Sequence, residues 1–421
     1  MKNHLFHPYT RFSAIENDTF PNIVSGDGIY LKDDQGHSYV DIISSWWACA
    51  LGHNHPVVVE AIKSQANILQ HSITGSMTHP NVIALSDRLV NMMPTPDRHC
   101  LFASDGSSSI EAALKIALQY WHNIGKPEKN LLIGMDQAYH GDSLGALGVG
   151  FVDSFHTPYK NAVSPSFKLP FPEPTDRDVD GFNPAKKIIH EHGDQIAAII
   201  LEPLCLGSAG MKMYSAGYLK KISAECEEKN ILLIIDEIAM GFGRTGKMFA
   251  FEHAQIDPDI VCIGKALTAG YMPMSSCIVK DKIYNTFSDK TDKDCTFYHG
   301  NTYAGHPIGC AAALAAISVY EAEQTLNQSV EKALLINSQL KQFESISCVE
   351  NIRSLGMIGV VEIKQEFIKH IPELKKELKE MGYLFRPLGT VLYLMPPLII
   401  SKEELQKAFE ALKSVLENIR H

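Results

Sequence analysis

Short aliphatic runs alternate with helical patterns through the middle of the chain. The runs Cys100–Ala103, Leu131–Met135, Ala197–Leu201, Ile231–Asp236, Ile260–Ile263 and Ser275–Val279 are the length of buried strands. Between them, Ile110, Ala113, Leu114, Ala117 and Leu118 recur at helical spacing within Ser108 to His122, and Tyr218 to Lys229 behaves similarly. Such strand–helix alternation predicts an α/β fold with a mostly parallel central sheet. A small-residue helix over Pro307 to Glu323 should pack deep in the core. Beyond it the pattern changes to alternating charge, two short strands (Tyr383–Arg386 and Val391–Leu394) and an amphipathic helix from Lys402 to Ile419. The expected organisation is therefore an N-terminal segment, 1–50, with β-like pieces at Gly28–Leu31 and Ser38–Ile42; a large domain, 51–323; and a smaller α+β domain, 324–421, beside which the first segment packs.

Length adds a bound. The chain has 421 residues, and at roughly 150 per domain that predicts two or three domains. Apolar residues at 45% and charged ones at 20% suit a globular chain in water. Lys plus Arg number 38 against 48 Asp plus Glu, a net charge of −10. That balance disfavours a nucleic-acid binder but leaves room for a local pocket for one phosphate. No stretch approaches the ~18 apolar residues of a membrane span. The N-terminus lacks the apolar stretch and cleavage site of a secretory signal. The nine cysteines form no C-x-x-C pair and mostly sit in apolar surroundings, as in Val261-Cys262-Ile263. Reduced core cysteines in a cytoplasmic protein, with no metal site, are the expectation.

Three motifs mimic other chemistries. Gly241-Phe-Gly-Arg-Thr-Gly246 matches G-x-G-x-x-G, but the residues after Gly246 lack the small-residue helix face a dinucleotide site needs. Gly141-Asp-Ser-Leu-Gly145 matches the hydrolase elbow around Ser143; no strand immediately precedes it, and the residues after it are too glycine-rich for a confident helix. His53-Asn-His55 precedes Pro56 and reads as a capped helix start more readily than as metal ligands.

Three other features work together. Asp236 closes the run Ile231-Leu-Leu-Ile-Ile235, and a strand-end carboxylate in an open α/β sheet faces the ligand crevice. Buried there, it needs a cation or a protonated ring nitrogen; a helix N-cap or an ion pair with Arg244 serves equally on local sequence. Lys265 ends the following strand between Gly264 and Ala266, where desolvation would suit Schiff-base chemistry; an ordinary snorkelling lysine is the alternative. The stretch Ser104-Asp-Gly-Ser-Ser-Ser109 opens a helix and offers amides and hydroxyls to a phosphate; plain serine N-capping explains it too. It lacks the G-K-[ST] of a nucleotide P-loop. Phosphate cup, strand-end acid and strand-end lysine together describe the protein side of a pyridoxal 5′-phosphate site.

Asp236-Glu-Ile-Ala-Met-Gly-Phe-Gly-Arg-Thr-Gly246 with Pro258-Asp-Ile-Val-Cys-Ile-Gly-Lys265-Ala-Leu-Thr268 resembles the motif of class III aminotransferases, and the resemblance covers essentially the whole chain. It implies the fold-type I architecture of pyridoxal-phosphate transferases and a homodimer with active sites at the interface. Further segments resemble the branch that aminates 8-amino-7-oxononanoate with S-adenosylmethionine in biotin synthesis: His7-Pro-Tyr-Thr10, Ser45-Trp-Trp47, Gly52-His-Asn-His-Pro56, Tyr139-His-Gly-Asp142, His299-Gly-Asn-Thr-Tyr303, Phe385-Arg-Pro-Leu-Gly389 and Tyr393-Leu-Met-Pro-Pro397. Some members of that branch use lysine as donor. Other class III ω-aminotransferases, a serine hydrolase built on Ser143 and an inert paralogue are the alternatives.

Carried over, the resemblance implies that Lys265 takes the cofactor aldehyde and shuttles the proton. Asp236 pairs with the ring nitrogen, Tyr139 stacks on the ring, and Gly106, Ser107 and Ser108 bind the phosphate, completed by Thr302 from the other subunit. Tyr9, Trp46, Trp47, Asp142, Gly300 and Tyr393 form the substrate wall, and Arg386 grips the keto acid's carboxylate. A long aliphatic amino-keto acid does want an aromatic channel with one cation at its far end. Core packing of Trp46 and Trp47 is the bland alternative, although two adjacent strand residues cannot both face one core. Two departures stand out: Leu206 follows Glu202-Pro203 where many relatives have Gln, and Asn301 stands where Pro is common.

Overall fold

A computed structural model describes residues 4–12, 20–163, 167–288 and 294–419. Its strands run in chain order as β1 (Ile23–Asp27), β2 (Tyr30–Asp33), β3 (Ser38–Val40), β4 (Arg98–Ala103), β5 (Leu131–Met135), β6 (Lys168–Leu169), β7 (Ile196–Leu201), β8 (Cys205–Leu206), β9 (Lys212–Met213), β10 (Leu232–Asp236), β11 (Ile260–Ile263), β12 (Ser275–Lys280), β13 (Val349–Leu355), β14 (Ile358–Ile363) and β15 (Val391–Leu394). The central sheet has seven strands in the order β4-β12-β11-β10-β7-β5-β6. Only β12 runs against its neighbours.

Sequence alternation explains why this sheet is covered on both sides. In a strand, successive side chains point to opposite faces. Leu233, Ile235, Val261 and Ile263 join one buried cluster, while Leu232, Ile234, Ile260 and Cys262 join a second. Strands apolar at every position therefore feed two cores, which is why they read as continuous hydrophobic runs. The helix Pro307–Ala322 is buried along most of its length; its alanines and Gly309 let it pack closely against the helix Pro56–Ala66.

The predicted strands of the sheet agree with the observed ones to within two residues at each end. β6, only two residues long, carries no readable pattern. Near the C-terminus the differences are larger. β13 and β14 were not expected, because Val349-Glu-Asn-Ile-Arg-Ser-Leu355 mixes charge into a half-buried strand. The strand expected at Tyr383–Arg386 does not form: Tyr383 makes an isolated bridge to Val40, and Pro387, which has no N–H to donate, ends any ladder there. The N-terminal segment lies on this C-terminal sheet region. Val40 N–H donates to Gly382, Leu384 N–H to Val40, Met395 N–H to Ile42 and Leu398 N–H to Ala50.

Trp46 and Trp47 are not strand residues. Ser44, Ser45, Trp46 and Trp47 all have positive φ, from 44° to 74°, and form one left-handed helical turn. Such a turn costs ~1–2 kcal/mol per residue, so it persists only where the surroundings fix it. Ser44 Oγ donates to Met395 O at 2.7 Å and Ser45 Oγ to Asp41 Oδ2 at 2.7 Å. Arg244, fully buried, donates to Trp47 O and Pro396 O at 2.9 and 2.6 Å.

Candidate active site

β10 and β11 are parallel neighbours, with Asp236 opposite Cys262. Three residues beyond Cys262 the chain reaches Lys265, so acid and lysine meet at the carboxyl edge of the sheet. A cavity of about 310 Å³ opens there, lined by both residues and by Trp47, Asp105, Gly106, Ser107, Tyr139, His140, Gly141, Glu202, Ile238 and Ala239. Lys265 opens a 3₁₀ turn with φ of 41°, a strained value for a side chain of its size. Its ammonium makes no hydrogen bond or ion pair among the described residues and lies 5.2 Å from the centroid of the Trp47 ring. Burial lowers its pKa, with Asp236 and Glu202 opposing. The amine is thus biased toward its nucleophilic form.

Asp236 is held on both oxygens. Oδ1 accepts the amide of Ile238 at 3.1 Å, and His140 Nδ1 sits 2.8 Å from Oδ2. It makes no pair with Arg244, whose guanidinium goes to carbonyls, and no helix follows it directly. Glu202 accepts the amides of Tyr139 and Gly207 at 2.9 and 3.0 Å. Burial first, then the charge of Asp236, pushes its pKa up to about 8. The phosphate cup is the start of the helix Gly106–Asn123. Asp105 caps it by accepting the amide of Ser108 through its side chain and that of Ser109 through its carbonyl, leaving the amides of Gly106 and Ser107 as the unclaimed donors of the first turn. Gly106 and Gly141 keep this corner open: a Cβ on Gly141 would lie 2.0 Å from Ser107 Oγ, and one on Gly106 3.1 Å from Ile238. A free lysine, a strand-end acid, two unclaimed amides and a glycine cradle fit pyridoxal 5′-phosphate.

A second cavity, about 110 Å³, shares Lys265, Trp47 and Tyr139 with the first. Tyr9, Trp46, Phe155, Ser208, Arg386 and Leu388 complete it. The Arg386 guanidinium lies 4.1 Å from the Trp46 ring centroid and 5.9 Å from that of Tyr9, and Tyr9 meets Trp46 and Phe155 edge-on. Tyr9 donates a short hydrogen bond to Asp142, and Tyr139 Oη donates to the other Asp142 oxygen at 3.0 Å. Burial and the Asp142 contact raise Tyr9 to about 12, and burial with the Tyr9 contact raises Tyr139 further. Both phenols stay protonated donors. Trp47 Nε1 donates to Tyr393 Oη at 3.1 Å, which fixes the indole under the channel.

Residues 12–416 match the family model for aminotransferase class-III. The chain is a class III aminotransferase. This aminotransferase is 37% identical to the adenosylmethionine-8-amino-7-oxononanoate aminotransferase of Buchnera aphidicola, with 98% of this chain and 96% of that protein covered. It is 35% identical to the Helicobacter pylori protein of the same name over 99% of this chain and 97% of that one. The crystal structure of that aminotransferase from Methanocaldococcus jannaschii superposes with a TM-score of 0.93 at 31% identity, covering 98% and 97% of the two chains. The omega transaminase of Pseudomonas jessenii in complex with PMP superposes with a TM-score of 0.92 at 26% identity, covering 99% and 96%.

Within the aminotransferase, nine of the expected residues line one or other cavity: Lys265, Asp236, Tyr139, Gly106, Ser107, Tyr9, Trp46, Trp47 and Arg386. Asp142 and Tyr393 stand behind them through hydrogen bonds. Ser108 lines neither; its amide and hydroxyl both turn back to Asp105, so the cup in this chain is Gly106 and Ser107. Gly300 and Thr302 are exposed on this chain's own surface, away from both cavities. Sequence reasoning missed Asp105, His140, Glu202 and Phe155. His140 sits in the quoted Tyr-His-Gly-Asp run and Glu202 beside the noted Leu206, so both were visible without being assigned. Ser143 does start a helix, Leu144–Val149, against expectation: Gly145 sits against Glu111, where a Cβ would strike the carboxylate, and Glu111 accepts the Ala146 amide of the first turn. β5 ends well before it, so there is no elbow. Gly246 opens no helix. His55 precedes the helix Pro56–Ala66 but caps nothing; its side chain reaches Glu323 at 3.0 Å.

Proposed function

We propose that the chain transfers the amino group of S-adenosylmethionine to the keto group of 8-amino-7-oxononanoate, giving 7,8-diaminononanoate for biotin synthesis, as a cytoplasmic homodimer that uses pyridoxal 5′-phosphate. The full-length relatives that carry this name support the reading. One observation carries it beyond the family: an aromatic channel from Lys265 past Trp47, Trp46 and Tyr9 that ends at the Arg386 guanidinium. A flexible aliphatic chain with a terminal carboxylate matches apolar walls and a single cation.

Each residue has a separate task. Gly106 and Ser107 would hold the cofactor phosphate, with Thr302 serving the site of the other subunit, and Asp236 would hold the protonated ring nitrogen. Bound there, pyridoxal phosphate supplies an aldehyde that takes up an amine and a ring that withdraws electrons from the carbon losing its proton. Lys265, whose charged form burial disfavours, accepts that proton and returns it on the other side of the exchange. His140 and the Ile238 amide hold the two Asp236 oxygens in place. Tyr139 backs the ring. Asp142 anchors the phenols of Tyr9 and Tyr139 beside the channel where an amino group would enter, and Arg386 would fix the carboxylate end.

The visible spectrum of purified protein tests this. With S-adenosylmethionine, lysine and ornithine added separately, a yellow band should convert to the pyridoxamine form with S-adenosylmethionine alone. Conversion by lysine alone would keep the product and change the donor. Conversion by ornithine would favour a general ω-aminotransferase, and no chromophore after cofactor addition would sink the reading.

A further inference from the structure

His156 has no part in the chemistry above, yet it is 2% exposed and packed beside the channel. Its Nδ1 accepts the amide of Val152 at 3.0 Å. A neutral imidazole that accepts at Nδ1 carries its proton on Nε2. Burial holds the His156 pKa below the ordinary imidazole value, so the neutral form prevails at pH 7. The resulting Nε2–H is buried and makes no well-formed hydrogen bond; it lies 3.5 Å from Asp142 Oδ1. The ring cannot swing away. It lies nearly parallel to Tyr139, at 5.9 Å and 19°, and Phe151 and Phe155 meet it edge-on. Asp142 already accepts the phenols of Tyr9 and Tyr139, and a carboxylate has capacity for further donors.

We propose that His156 is a positioning residue: its Nε2–H, fixed in tautomer by the Val152 amide, orients the Asp142 carboxylate that anchors Tyr9 and Tyr139, and so sets the channel wall that meets the amino end of a substrate. Tyr9 and Tyr139 hold Asp142 by hydrogen bonds, and the His156 Nε2–H faces the same carboxylate at 3.5 Å. Without His156 only the two phenols restrain this half-exposed carboxylate. The inference rests on amino transfer at this site, but not on which donor is used.

The test compares holoenzyme variants His156→Phe, which keeps a packed ring and removes both nitrogens, and His156→Gln, which returns an N–H near the Nε2 position. If the Nε2–H closes on Asp142 when substrate fills the channel, the hydrogen bond to a charged group that it forms carries roughly a tenfold effect or more. His156→Phe should therefore raise KM for the amino donor about tenfold with kcat changed far less, and His156→Gln should recover most of it. In an Asp142→Asn background His156→Phe should add nothing. Equal KM values in wild type and His156→Phe, or full additivity with Asp142→Asn, would overturn the inference. Wild type run with S-adenosylmethionine, lysine and ornithine fixes the donor used. A wild type that none of them converts refutes the donor reading alone. The inference is then read from imidazole ¹⁵N shifts: Asp142→Asn should move the His156 Nε2–H resonance, and an unmoved resonance would overturn it.

Discussion

The two cavities that meet at Lys265 are built in different ways. The cofactor half is assembled from the ends of adjacent strands and one helix start, and its two acids are buried and already held, Asp236 by His140 and Ile238 and Glu202 by two amides, while the lysine and the two first-turn amides are left open. The substrate half draws Tyr9 and Arg386 from opposite ends of the chain and adds the left-handed turn at Ser44–Trp47 between them. Tyr9 is 43% exposed and Trp46 36%, whereas Asp236 is 4%. A group that stays for every turnover meets acids that are already fixed; two dissimilar substrates that alternate meet aromatic surfaces that accept either. Losses in the first half should therefore remove the reaction, and losses in the second should shift affinity.

The largest effect tests the first half. Lys265→Ala should abolish both half-reactions, since it removes the amine that carries the proton in each, and turnover assays should read background. Retained transamination would break the comparison outright. Next, Arg386→Ala should raise KM for the keto acid by about tenfold to a hundredfold, the scale of a lost charged hydrogen bond, while the donor half-reaction keeps its rate; steady-state kinetics with each substrate varied would show it. A matching fall in kcat would mean that Arg386 also serves the chemistry. The pH dependence of cofactor uptake is the third test. Burial lowers the Lys265 pKa below its ordinary 10.5, and only the neutral amine attacks an aldehyde. Uptake by apoenzyme should rise with pH and level off below 10.5; a rise that continues through 10.5 would mean an ordinary solvated lysine. The smallest effect belongs to Tyr9→Phe. It removes one of two phenols on Asp142 and leaves the ring in place, so KM should change by about tenfold or less.

The same division explains what could be read in the sequence. Asp236, Lys265, Gly106 and Ser107 were legible because the cofactor half is local: each lies at the end of an apolar run whose length and alternation fix its place. The sheet was legible for the same reason. The substrate half was reached through resemblance to a known family, since nothing in the spacing of Tyr9, Trp46 and Arg386 brings them together; tertiary packing does. That packing also decided the Trp46–Trp47 turn. Two adjacent aromatics at positive φ contradict local preference, and tertiary contacts select that conformation: Arg244 on the Trp47 carbonyl, Ser44 on Met395 and Ser45 on Asp41. His140 and Glu202 escaped assignment because a buried side chain's partner, here Asp236 or two backbone amides, leaves no pattern in the chain.

The most direct test is the complete reaction. Holoenzyme incubated with S-adenosylmethionine and 8-amino-7-oxononanoate should form 7,8-diaminononanoate, identified by mass, and Lys265→Ala should form none. Loaded enzyme that yields no diamine with S-adenosylmethionine or with lysine, yet transaminates ornithine, would contradict the account.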